Sequence, residues 1–148
     1  MARNAKGLKT LVRLSKFNVD EKRRVLTGLQ TREDQIVAEI GNAELRLKEE
    51  QKIAAADATG VGYLYGAYHQ AWRQQRNQQD TALSAVRAQI EAAREDLAEA
   101  YRELKTYEIT QANREKREQE EADRKEQVFL DEVGLTQFRR REEAASEG

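Results

Sequence analysis

The 148-residue chain has no cysteine, no proline, a single histidine, a single tryptophan and only 6% aromatic residues. Without cysteine it has no disulfide framework and no thiolate metal site. At an average usage of about 5%, a chain of this size would hold about seven prolines. Their absence removes the commonest helix breaker, which costs about 3 kcal/mol inside a helix. Too few bulky apolar residues are present for an ordinary globular core. No apolar run approaches the roughly 20 residues of a membrane span, and the opening residues 1–7 lack the apolar core of a signal peptide. A cytosolic chain with no direct membrane insertion is therefore expected. Lys and Arg number 26 against 27 Asp and Glu, without the regional basic excess of a nucleic-acid binder.

What the chain does have is charge, 36% of all residues, interleaved with apolar positions at heptad spacing. This pattern separates a coiled coil from a disordered polyelectrolyte. In a first helix, Val12, Val19, Leu26, Glu33, Ile40, Leu47 and Ala54 fall at position a. Leu8, Ser15, Lys22, Leu29, Ile36, Ala43 and Glu50 fall at d. In a second helix, Leu83, Ile90, Leu97 and Leu104 fall at a, and Tyr65, Trp72, Val86, Ala93, Ala100 and Tyr107 at d. Sustained spacing of 3.5 residues predicts a left-handed supercoil.

Folding the chain between Thr59 and Gly60 sets Leu47 against Trp72, Ile36 against Leu83 and Leu29 against Ile90. The two registers, chosen independently, thus agree on one turn; a slip by a whole heptad would need an asymmetric loop. The expected fold is all-α: two long helices in an antiparallel left-handed coiled-coil hairpin, a single domain over 1–148. The first helix covers about 5–56, the turn 57–62 and the second helix about 63–140. At 1.5 Å per residue the first helix would be about 75 Å long. Residues after about 113 then overhang at the C-terminus with no partner helix. A homodimer of continuous helices is the competing arrangement, and it would keep Leu47 far from Trp72 within a chain.

Several residues invite a chemical reading and fail it. Gly60 and Gly62 end a helix readily, but no Gly-x4-Gly-Lys-Ser/Thr phosphate loop is present. His69 lacks the convergent ligands or bases that metal or catalytic use requires. Glu33 and Glu50 on the seam read as polar residues that fix register, not as an acid–base pair. Gly28 and Gly41 inside the first helix permit close helix approach or bending. Acid-first pairs four apart (Asp20–Arg24, Glu44–Lys48, Glu120–Arg124 and Glu121–Lys125) should each add a few tenths of a kcal/mol, at roughly the usual helix-surface value. No catalytic residue, metal ligand or cofactor site is expected, and the chain reads as a non-enzyme.

Two surfaces remain. The overhang opens with the mixed-charge run 113–126 and turns abruptly apolar, with Val128, Phe129, Leu130, Leu135 and Phe138 followed by Arg139, Arg140 and Arg141. Apolar groups rimmed by charge mark partner sites; folding back or self-association is the alternative. Near the turn, Tyr63, Tyr65, Tyr68 and Trp72 gather most of the large aromatics. Tyr65 and Trp72 sit at d and suit seam packing, while Tyr63 and Tyr68 fall off the seam and either face a partner or pack together to close the tip.

The stretch Leu11–Arg24, the order Lys105-x-x-Glu108 then Glu126-Gln127-x-x-x-Asp131-Glu132 then Arg139-Arg140-Arg141, and the hairpin plan together resemble the FliJ family. These are small coiled-coil components of the bacterial flagellar type III export apparatus. The resemblance implies a cytoplasmic protein peripherally associated with the inner-membrane export apparatus. It further implies three partners: the hexameric export ATPase, the cytoplasmic domain of the export gate, and export chaperones. Carried over, the ATPase-binding end maps to Val128–Arg141 with the first turns of the opening helix. Phe129, Leu130 and Phe138 would anchor, and Arg139, Arg140 and Arg141 would pair with acidic ring residues. The gate contact maps near Tyr65, Tyr68 and Trp72. The alternatives are the equivalent stalk of a virulence-type secretion system, a generic scaffold, and a hairpin gripping nucleic acid.

Overall fold

A proline-free chain has nothing to stop a helix once its seam is paired, and two uninterrupted helices result. In the computed structural model, residues 2–56 and 62–147 are described, with side chains over 6–56 and 64–147. Helix α1 spans Ala2–Ala56 and α2 spans Gly62–Ser146. Both run past the spans read from the sequence, α1 toward the N-terminus and α2 beyond residue 140. The expected turn falls outside the described residues, except that Gly62 already belongs to α2.

The helices pack antiparallel, and the burial pattern is the heptad pattern. In α1 every residue assigned to a or d is buried or half-buried except Glu50. A carboxylate at the seam remains hydrated because taking an unpaired charge out of water is costly. In α2 all ten named a and d residues are buried or half-buried.

The packing divides into two units: Ser15–Arg102, and Met1–Leu14 with Glu103–Gly148. In the first, Ile36, Ile40, Val86 and Ile90 form a buried cluster against which Leu26, Leu29, Ala82 and Leu83 pack. Burying such a side chain contributes about 1.5–3 kcal/mol. Across this seam Trp72 Nε1 donates to the Ala43 carbonyl at 3.0 Å, Arg76 pairs with Glu44 at 2.6 Å and Arg87 with Glu33 at 3.5 Å. Arg76–Glu44 and Arg87–Glu33 lie one residue from the register deduced from the sequence, which excludes the one-heptad slip, while the long indole of Trp72 reaches past its expected neighbour Leu47 to Ala43. The bond from Trp72 to Ala43 within one chain also rules out a single continuous helix. In the second unit Leu8, Val12 and Leu104 are buried, and Leu8 and Lys9 line one shallow groove together with Gln111, Arg114 and Glu115.

Some surface details differ from expectation. Asp20 pairs with Arg23 and Glu21 with Arg24, three residues apart. Glu44 turns across the seam to Arg76 instead of along the helix to Lys48, because a cation on the facing helix lies closer to the seam edge. Glu121 and Lys125 do pair, at 3.9 Å. A methyl group at Gly28 or Gly41 would meet nothing within 4 Å, so neither glycine serves a close helix approach.

Candidate interaction surfaces

From Glu115 to Ser146 every residue of α2 is exposed. The side-chain bonds found here are local: Gln119 to Asp123, Lys125 to Glu121, Gln127 to Asp131 and Thr136 to the Glu132 carbonyl. Within this polar helix Val128 is 53% exposed, Phe129 63%, Leu130 53%, Leu135 58% and Phe138 60%. Arg139, Arg140 and Arg141 are exposed as well. Val133, which the sequence reading passed over, joins this group at 36% exposed. Its signal was available, since it lies one turn after Phe129.

The apolar groups do not form a stripe. At 3.6 residues per turn, Val128 and Leu135 share one side of the helix, Phe129 and Val133 a second, and Leu130 a third. Phe138 falls between Leu130 and Leu135. A helix apolar on all sides is normally one that is enclosed. Among the described residues nothing covers this one.

The aromatic surface near the start of α2 behaves differently. Tyr65 and Trp72 are half-buried in the seam. His69 lies between them, 5.8 Å from the Tyr65 ring and stacked 6.0 Å from Trp72. The indole N–H is already committed to the Ala43 carbonyl. Of the three residues assigned to this surface only Tyr68 is exposed; the side chain of Tyr63 lies outside the described residues. Sequence reasoning missed two exposed apolar neighbours in the same packing unit, Ile53 and Leu64. Leu64 precedes Tyr68 by one turn, and Ile53 lies beside the seam residue Ala54, at a flanking heptad position that alternation alone does not flag.

The cross-helix polar contacts of this unit involve the opposite flank. Arg23 Nη2 donates to the Tyr101 hydroxyl at 3.0 Å with its guanidinium 5.4 Å from the ring centre. In Arg87–Glu33 and Arg76–Glu44, farther along, a residue of this flank pairs with one at a seam position. A shallow groove of about 260 Å³ on this flank is lined by Gln30, Glu33, Arg87, Ile90, Glu91 and Arg94. Its charges are largely paired to one another.

In the second unit the Tyr107 hydroxyl donates to Glu103 Oε1 at 3.2 Å. That hydrogen bond, reinforced by the carboxylate's charge, holds the phenol above its ordinary pKa. Among the described residues no group of three or more His, Cys, Asp or Glu is placed to hold a metal ion. No helix there is long and apolar enough to cross a membrane.

A protein-family model described as Flagellar FliJ protein matches residues 5–143. No curated protein and no solved structure matches the chain.

Proposed function

Since the chain belongs to the FliJ family, a component of the flagellar protein-export apparatus, we propose that it is a non-enzymatic adapter whose C-terminal tail seats in the hexameric export ATPase. The observation that carries this reading is the distribution of Val128, Phe129, Leu130, Val133, Leu135 and Phe138 around the whole helix. A flat partner would bury one stripe and leave the others in water. A ring closing around the tail buries all of them, and Arg139, Arg140 and Arg141 pair with acidic groups on the ring. The first turns of α1 complete that end. A single tail in a symmetric ring touches the subunits unequally. It therefore biases their states only through that difference in contact, which is the physical content of coupling ATP hydrolysis to transport.

The cytoplasmic domain of the export gate and the export chaperones take other faces. For the gate, the flank carrying Ile53, Leu64 and Tyr68 is the better surface, with Tyr65 and Trp72 stiffening the coil beneath it. The protein then works at the cytoplasmic side of the inner-membrane export apparatus.

The test replaces Phe129 and Phe138 together with alanine and measures co-purification with the export ATPase beside the wild type. Binding is lost while helix content by circular dichroism stays unchanged. Retained binding, or a helix loss that parallels the binding loss, would overturn the assignment of the tail. Ile53→Ser with Tyr68→Ser should leave ATPase binding intact and weaken gate binding.

A further inference from the structure

The tail's charges are arranged as asymmetrically as its apolar groups are spread. Asp131 and Glu132 lie on the N-terminal side of Leu135, and Arg139, Arg140 and Arg141 on its C-terminal side, all exposed. Two such tails laid parallel bring three arginines against three arginines and two acids against two acids. Laid antiparallel about Leu135, Asp131 of each copy lies beside Arg139 of the other, so that opposite charges meet twice. Leu135 meets its own counterpart on the two-fold axis, and Val128 and Phe138 flank it on the same side of the helix.

We propose that residues 128–142 form a self-complementary patch through which two copies of this chain pair antiparallel about Leu135. The contact is isologous, so every favourable pair occurs twice. With one short segment per copy it falls at the small end of interface sizes, and pairing is weak and concentration-dependent. Paired tails cannot engage another partner. Self-pairing therefore withholds the tail until a better-fitting surface displaces the second copy. Self-pairing is a property of the free chain, whatever that surface is.

The experiment is sedimentation equilibrium of the full chain over a wide concentration range, with helix content monitored in parallel. Wild type shifts reversibly from monomer toward dimer. Leu135→Glu weakens association by at least about tenfold, on the scale of a central interface residue, with helicity unchanged because the position is solvent-exposed. Asp131→Arg alone and Arg139→Asp alone also weaken it, since each sets like charges opposite one another twice. Mixing these two variants restores association as a heterodimer, because both cross-copy pairs are then Arg–Asp. A wild type that stays monomeric at all concentrations overturns the proposal. So does association indifferent to Leu135→Glu, or a mixture of charge variants that pairs no better than each alone.

Discussion

Between Tyr65 and Ala100 the large apolar side chains of α2 recur at a and d and turn onto α1, so that Val86 and Ile90 are 7% and 4% exposed. Between Val128 and Phe138 they crowd together without period, and none is less than 36% exposed. Composition hardly separates the two stretches; spacing does. An apolar residue at heptad spacing is claimed by the chain's own second helix. Out of register, in a charged helix with no facing partner, it is left for something else. The same side chain therefore carries stability in one stretch and, under the proposed function, binding in the other.

Truncating one residue in each stretch should break that symmetry most visibly. Ile36 is 2% exposed and lies at the centre of the cluster with Ile40, Val86 and Ile90. Ile36→Ala should cost about 2–4 kcal/mol, the usual range for a buried large-to-small change. Phe129→Ala should change stability by no more than about 0.5 kcal/mol, as exposed substitutions do. Thermal melts followed by circular dichroism compare the two directly. A loss at Phe129 approaching that at Ile36 would mean the tail is packed in the free protein.

A smaller effect sharpens the contrast within the paired stretch. Trp72 is held both by seam packing and by its hydrogen bond to the Ala43 carbonyl. Trp72→Phe keeps a flat apolar ring and removes the donor, so the melt should register about 1 kcal/mol, the net worth of one hydrogen bond. The Ala43 carbonyl remains within its own helix, so no strong penalty for an orphaned acceptor is added. If Trp72→Phe left stability unchanged but weakened gate binding, the indole would be a contact residue and not a strut.

The fold was legible because heptad periodicity encodes both secondary structure and facing partner. Two registers set independently from Leu8 to Ala54 and from Tyr65 to Tyr107 agreed on a common turn, and the cross-helix pairs Arg76–Glu44 and Arg87–Glu33 follow it. Ser15 shows how far the pattern outweighs residue type. At a d position it is 6% exposed, with a hydroxyl that finds no partner within the seam. Charged seam residues divide: Glu33, paired with Arg87, is half-buried, while Glu50 is exposed. Surface pairings were less legible, because Glu44 has cations within reach on two helices and a one-dimensional reading sees only its own. The tail was visible as an interruption of the heptad. Its all-round character emerges only when residues 128–138 are set on a helix. At the aromatic surface the residue types were found, but seam and exposed positions alternate too closely there for pattern alone to identify Ile53 and Leu64.

The smallest predicted effect lies in the second packing unit, where Tyr107 is still a d residue. Its hydroxyl is bound to Glu103 one turn earlier on the same helix, and the hydrogen bond first, then the carboxylate's charge, hold the phenol neutral to higher pH than usual. In an absorbance titration of the five tyrosines, Tyr107 should ionise later than an ordinary phenol of pKa about 10. Glu103→Gln removes the charge and should return it toward that value. A folded-state pKa raised above the unfolded one means that the contribution is fully present below pH 10 or so and is lost as pH rises through the folded value. Stability near neutral pH should therefore be independent of this ionisation, and the variant should differ in alkaline melts alone. The bond spans only one turn of α2, so it needs the helix but not the seam. Tyr107 should therefore keep its delayed titration in Ile36→Ala at temperatures where that variant's helices still persist, and lose it when the helix itself melts.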